Sequence, residues 1–594
     1  MRISVLILAL ILVAVAHASP ATQPAIDWKP YSEDIFAQAK RDHKLVILDL
    51  QAVWCHWCHV MDEKTYGEAK IQKLIGDHFL AIKVDQDSRP DISNRYEDYG
   101  WPATVVFDSD GHEIVKRRGY IPPEQMESML KAIIADPTPG PSVEPVKEIH
   151  SSTQPALSTL VAAKLKTDIQ SNYDSKNGGW GQGYKFIDAD LIEYCTRQAM
   201  ARDKQAEQMA RQTLTDGLKL VDPAWGGVYQ YSTDDDWNHP HFEKIMSFQA
   251  DDMRTFARSY AVWHDPKYLT AAEAIHHFLQ TFLTSPQGAF YVSQDADRNP
   301  GEHGGEYFAL DDASRRKLGI PRVDTHIYSR ENGWAISALV ALHEFTGDAD
   351  AMNEAHKAAD WIIANRGVNG GGFSHDQRDS GGPYLGDTLA MGRAFLDLYA
   401  ATGDRPWLDR ANAAAKFVEK SFLPIDPAQS AGVLTTIPHP GSPIRVDPEV
   451  DENVATARFA RRLFAYTGVA EHEKLAGTAM RYIAAPEVVG NRNWLVGGIL
   501  LADAEMNSEP AHITIVGEKN DPLARSLFDV VTRSPISYKR VEWYDRKEGP
   551  LMRMDVEYPD LKKSAAFVCA DGACSSPIYD PIKLGRKMDA LVQK

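Results

Sequence analysis

A glycine followed closely by an aromatic or apolar residue recurs along most of this chain: Gly178-Gly179-Trp180, Gly226-Gly227-Val228-Tyr229, Gly288-Ala289-Phe290-Tyr291 and Gly371-Gly372-Phe373, with weaker echoes at Gly432-Val433 and Gly497-Gly498-Ile499. Most steps are roughly 50–65 residues, the length of a helical hairpin plus its loop. The stretches between are helical in pattern: Leu157, Leu160, Val161, Leu165 and Ile169 share one helix face. Six such units need about 350 residues, which 155–505 supplies. A hairpin that cannot bury its apolar face alone must stack on its neighbours, so the period predicts a closed ring, an (α/α)6 toroid.

A different pattern precedes it. Leu45-Val46-Ile47-Leu48 reads as a buried strand, broken at Gln51-Ala52-Val53, and Trp54-Cys55-His56-Trp57-Cys58 then opens a helix. Thiols at this spacing form or attack a disulfide. Cys55, at a helix N-terminus, is where the dipole and free N–H groups favour a thiolate, and Cys58 would resolve the mixed disulfide. His56 can add positive charge when protonated. The competing reading is a zinc pair completed by His56 and His59, although these two are local and poorly placed for a tetrahedron.

The stretch resembles thioredoxin. That resemblance implies that Asp49 is a buried carboxylate accepting the proton of Cys58, and that Pro102 is a cis proline packed against the dithiol where substrate docks, with Trp54, His56, Trp57 and Trp101 around it. Ala81 stands where a lysine is expected near the carboxylate, which would alter the proton path. Strands are expected at 79–84 and 103–107, with a hairpin turn at Asp110-Gly111. Asp27-Trp28-Lys29-Pro30, Cys55-His56-Trp57-Cys58-His59-Val60-Met61, Val84-Asp85 with Arg89-Pro90-Asp91-Ile92, and Gly100-Trp101-Pro102 occur together in this order. In this the chain resembles the spermatogenesis-associated protein 20-like thioredoxin family, which implies a thioredoxin-like domain joined to a toroid related to six-hairpin glycosidases. The resemblance runs over nearly all the mature chain and is weaker after Leu310.

The expected organisation is therefore multidomain, α/β plus all-α: a thioredoxin-like domain at 27–135, a proline-rich linker at 136–150, the toroid at 155–505 and a small α/β segment at 511–594. Residues 1–18 read as a secretory signal, with Arg2, an apolar run from Ile3 to Val15 and Ala16-His17-Ala18 as the cleavage site; an uncleaved anchor is the alternative. Export to the periplasm or medium is expected, with no membrane span after cleavage. The net charge of −18 argues against nucleic acid as a partner. Five cysteines in 594 residues are no disulfide scaffold. Cys195 falls on an expected helix and reads as a core thiol. Cys569 and Cys574 flank Asp571-Gly572 and are expected to bridge locally; a second redox pair is the rival reading.

The glycine-marked loops carry acids, histidines and aromatics: Asp234, Trp237, His241, Glu243, Asp295, Asp297, Glu306 and Asp387. Such loops gather at the ends of a ring, so these residues are expected to line a cleft separate from the dithiol that takes a glycan or other polar ligand. Glu243 with Asp295 is a candidate acid/base pair. The structural alternative has the same groups bonding loops and capping helices. No cofactor is expected, and no metal, although His241 and Glu243 would also suit one. Two functions emerge: an exported thiol–disulfide oxidoreductase acting on a protein or small-molecule disulfide, or a carbohydrate-binding or carbohydrate-active toroid with an accessory thioredoxin-like domain.

Overall fold

The computed structural model describes residues 25–144, 149–379, 381–424, 432–438, 445–570 and 572–592. The expected signal sequence lies outside them. No helix among the described residues is long and apolar enough to cross a membrane.

The first domain is a four-stranded sheet of β1 (Leu45–Gln51), β2 (Phe79–Asp85), β3 (Ala103–Phe107) and β4 (Glu113–Arg118), in the order β2-β1-β3-β4. β1 and β2 are parallel, whereas β3 runs antiparallel to both β1 and β4. β1 and β3 are apolar on both faces because helices cover both, leaving two separate cores. The helix α1 (Asp34–Asp42) packs on one face with Ile35 and Phe36; Met61 of α2 (His56–Lys64) and Ile71 of α3 (Ala69–His78) pack on the other.

Among the described residues the toroid has six inner helices: Ala189–Met200, Met246–Trp263, Ser329–Thr346, Leu385–Thr402, Val450–Thr467 and Gly497–Met506. Its outer helices are Thr159–Ser171, Lys204–Gly217, Pro266–Phe278, Ala349–Arg366, Arg405–Ser421 and Ala470–Ile483. The glycine-marked loops are a repeated device. Each lets the chain double back and bridge to the end of the preceding outer segment, as in Tyr173 with Trp180, Val221 with Val228, Thr284 with Phe290 and Gly367 with Phe373. An amide on the following inner helix then holds the loop at both backbone groups: Gln249 on Val228, Asn332 on Phe290, Asn453 on Val433. Ring closure needs a close approach. A Cβ on Gly497 would lie 2.6 Å from the Leu191 nitrogen, so the last inner helix meets the first through a bare backbone.

The C-terminal segment has the strands Ala511–Val516, Lys539–Tyr544, Ala565–Ala570 and Ala573–Cys574, with helices Pro522–Thr532 and Pro581–Val592. The first two strands are parallel; the third is antiparallel to the first and to the fourth. Numbered in chain order, the sheet runs 2-1-3-4, as in the first domain. Asp521 caps the helix after its first strand, the place Cys55 holds in the other domain, and Ser564 stands before its third strand, where Pro102 stands. Ser564 donates to Asp521. The second module thus shares the first one's topology without a dithiol at that helix N-terminus.

Cys569 and Cys574 lie directly opposite each other in register and form a disulfide with Cα atoms 4.0 Å apart. Closing so short a loop is worth about 2 kcal/mol in the chain-entropy model. Replacing both by serine should speed amide exchange of 565–578 while leaving exchange in the toroid core unchanged. Cys195 is fully buried on an inner helix, where desolvation pushes its thiol up to about 12.

The two α/β modules sit at opposite ends of the ring. The first meets the N-terminal ends of the inner helices and their preceding loops, through Ile245, Asp297, His375 and Asp447. The last meets the C-terminal ends, where the Tyr466 hydroxyl accepts from Val541 N and Arg197 donates to Ser537.

Candidate active site

Cys55 is the N-cap of α2, with extended backbone, and its sulfur accepts from the Cys58 amide at 3.2 Å. The two cysteines form a disulfide with Cα atoms 5.3 Å apart. Free N–H groups at this end of the helix stabilise negative charge that develops on Cys55 once the bond opens. The Trp101–Pro102 peptide is cis and leads directly into β3.

Asp49 lies inside the domain, 1% exposed. Desolvation pushes its carboxyl up to about 7, opposed by the ammonium of Lys83 at 3.4 Å. The expectation that a lysine is missing here is therefore corrected. β1 and β2 pair in register with Asp49 opposite Lys83, whereas Ala81 pairs with Ile47, one step earlier on the same face. Lys83 also pairs with Asp62 on α2.

The dithiol is not open to solvent. Cys55 is 4% and Cys58 2% exposed, and with Ala52 and Trp54 they pack on Ile245 at the mouth of the ring, flanked by Phe248 and Trp101. Polar contacts lock the seam. His56 Nδ1 donates to Asp297 Oδ1 at 2.8 Å, and His59 Nδ1 donates to Asp297 Oδ2 at 3.1 Å. The other ring nitrogen of His59 donates to the Val53 carbonyl at 3.2 Å and lies 3.6 Å from Asp295. Both nitrogens of His59 therefore donate, which requires an imidazolium. Burial works against that charge, but the hydrogen bond and charges of Asp297 and Asp295 outweigh it, and its pKa is raised. The toroid thus fixes a positive charge on the helix that carries the dithiol. Asp295 is itself pushed up to about 7, first by burial.

The expected separate cleft is corrected by this geometry. Asp295 and Asp297 reach the dithiol helix directly, and Glu243, buried, stands behind Asp295, acting on it electrostatically. His241 stacks on Tyr231, with Nδ1 3.9 Å from Glu243. Asp387 holds His375 Nδ1 at 2.9 Å, and His375 Nε2 donates at 2.6 Å to the Asp87 carbonyl of the first domain. The remaining candidates do not join them. Trp237 is a core residue against Gly179, its indole donating to the Asn177 carbonyl; Asp234 lies on an exposed turn, and Glu306 is exposed. Of the residues expected around the dithiol, Trp57 is exposed at 42%, whereas Trp54 is buried and donates to Asp87 Oδ2 at 2.7 Å.

His59 and His375 give the seam a pH dependence of one sign, since the pKa of each is raised. His375, with both nitrogens donating, is raised to about 9: burial opposes, and Asp387 overrides it. A raised histidine contributes stability that is complete below its unfolded value and lost as pH climbs through the folded one. The unfolding midpoint should therefore fall between about pH 6.5 and 9. That fall should be smaller in His375→Gln.

Comparison with known proteins agrees with the first domain. A family profile described as "Protein of unknown function, DUF255", with the short name Thioredox_DsbH, matches residues 15–135. The first domain is thioredoxin-like. Thioredoxin from Mycoplasmoides gallisepticum is 34% identical over 89 residues, 15% of this chain and 84% of that protein. The chain is also homologous to human spermatogenesis-associated protein 20, at 26% identity over 312 residues, 46% of this chain and 39% of the human protein. It thus spans well under half the length of that relative. Among solved structures, a D-mannose isomerase aligns over 59% of this chain and 98% of its own, with a TM-score of 0.44 at 10% identity. Cellobiose 2-epimerase from Spirochaeta thermophila gives the same TM-score, 0.44, at 11% identity, over 59% of this chain and 97% of its own.

Proposed function

We propose that this protein is a thiol–disulfide oxidoreductase whose toroid covers the dithiol and governs access to it. The observation that carries this reading is the Cys55–Cys58 pair at the N-terminus of α2 beside the buried carboxyl of Asp49. Likeness to the protein named thioredoxin supports it. In the reductive direction the Cys55 thiolate attacks one substrate sulfur. The substrate S–S bond breaks and its leaving thiolate takes up a proton. Cys58 then gives its proton to the Asp49 carboxylate and attacks Cys55 Sγ, which releases the second substrate sulfur as a thiolate that takes up a proton. Two electrons have passed to the substrate and the protein holds the Cys55–Cys58 disulfide. The oxidative direction is the reverse.

The exported location suggested by residues 1–18 belongs to this proposal, since substrate disulfides are met outside the cytoplasm. A glycan in the ring is not part of it, because the thioredoxin-like domain occupies the mouth where Glu243 and Asp295 lie. The test is trapping. Full-length Cys58→Ser should accumulate a mixed disulfide through Cys55 when offered oxidised glutathione or a disulfide-bonded protein, and Cys55→Ser should accumulate none. Equal disulfide turnover by parent and Cys55→Ser would end the redox assignment.

A further inference from the structure

A second polar cluster bridges the same two domains. Asp85 ends β2, Asp87 follows in the next loop, and Asp324 lies in the short toroid strand Val323–Asp324. One oxygen from each lies within 4.8 Å of the others. Oxygens on opposite sides of a calcium-sized ion, at roughly 2.3–2.6 Å from it, span about that distance.

The hydrogen bonds around the cluster leave a consistent set of oxygens over. Asp324 Oδ1 accepts from His326 at 2.5 Å, and Glu331 Oε1 accepts from Arg330 Nε and Nη2 at 2.9 and 2.7 Å. Asp85 Oδ2 accepts from the Ser88 amide at 3.3 Å, and Asp87 accepts one hydrogen bond on each oxygen, from Gln86 on Oδ1 and from Trp54 on Oδ2 at 2.7 Å, which leaves it a second lone pair on each. The opposite oxygens, Asp324 Oδ2, Glu331 Oε2 and Asp85 Oδ1, are buried and have no partner among the described residues. Asp324 is 3% and Glu331 2% exposed, so water does not solvate them freely. Ser293, paired with Asp324 across the strands, has a buried hydroxyl that is also unpartnered.

Charge points the same way. Four carboxylates (Asp85, Asp87, Asp324 and Glu331) face two cations, Arg330 and His326, each spent on an oxygen outside the leftover set. Burial, then the charge of Asp324, pushes Asp85 up to about 6; burial, then Asp85 and Glu331, pushes Asp87 well above the usual range. A buried excess of two negative charges is costly without a counterion.

We propose that Asp85, Asp87 and Asp324, with Glu331 behind them, bind one hard divalent cation of the calcium or magnesium type, which staples the thioredoxin-like domain to the toroid. The all-oxygen donor set selects that class over zinc or copper. The site is distinct from the His59, Asp295 and Asp297 group beside the dithiol, whose imidazolium already supplies a cation.

The experiment uses the full-length protein stripped with EDTA, titrated at pH 8 with Ca²⁺, Mg²⁺, Mn²⁺ or Zn²⁺ by calorimetry, with the unfolding midpoint read in parallel. One Ca²⁺, Mg²⁺ or Mn²⁺ should bind per chain and raise the midpoint. Asp324→Asn should weaken binding at least tenfold and abolish the shift, whereas Asp297→Asn should keep both. Asp85→Asn gives the same reading from the other domain should Asp324→Asn not fold. No binding by the parent at millimolar ion would overturn the proposal and leave shared protons to neutralise the cluster. Binding insensitive to both Asp324 and Asp85, or lost with Asp297→Asn, would overturn it as well.

Discussion

Ile245→Lys should raise the rate at which the reduced Cys55 thiol is alkylated in the folded protein by about a hundredfold, with Cys55→Ser as the zero. Ile245 is buried against both cysteines, at the point where the toroid touches the dithiol. An ammonium there replaces an apolar side chain packed on Cys55 and Cys58 and costs several kcal/mol to dehydrate. If only ~3 kcal/mol of that falls on the docked arrangement, the undocked population rises about a hundredfold. The same variant should turn over protein disulfides faster than the parent, because the parent shows such a substrate only 4% of Cys55 and 2% of Cys58. Equal alkylation rates in parent and variant would show that the toroid does not cover the dithiol in solution.

Asp49→Asn should separate stability from turnover. The folded carboxyl titrates near 7 against an ordinary 3.8, and desolvation is the main cause. An acid whose folded pKa is raised favours the folded state when protonated and loses stability as pH rises from the unfolded value through the folded one. That loss amounts to at most about 4 kcal/mol once ionisation is complete. Asparagine has no such loss. The variant should therefore be the more stable protein at pH 8, with the difference shrinking toward pH 4, as read by urea unfolding at both. It should also release the mixed disulfide slowly, since Cys58 loses its proton acceptor while attack by Cys55 is spared. A variant less stable at pH 8 than at pH 4, relative to the parent, would refute the buried-acid account.

The parts of this site that were legible in the sequence are local ones. Cys55, Cys58 and the helix start they mark lie within a few residues of one another, and the ring follows from a period written along the chain. What was missed depends on distance. His56 and Asp297 are 241 positions apart, and only closure of the ring brings them together, so Asp295 and Asp297 read as part of a separate sugar cleft. Lys83 was missed by one step of strand pairing, since a lysine opposite Asp49 and one opposite Ile47 look alike until the register of β1 on β2 is known. Trp237 was misassigned for another reason. An indole in a polar loop resembles a stacking platform, but Gly179 and Gly217 leave room for it in the core. The strand order of the C-terminal module was also hidden, because pairing order is a long-range property that a strand–helix–strand pattern does not fix.

The ring also closes late. The thioredoxin-like sheet is complete within the first 118 residues, whereas the contact of Arg197 with Glu505 spans 308 positions. Domains fold as units, N-terminal first, during synthesis, and long-range closures are slow. On a nascent chain the dithiol helix therefore stands uncovered while Ile245 and Asp297 are still to be made. An oxidant or reductant that meets the chain in that interval reaches Cys55 and Cys58 without the toroid in its way.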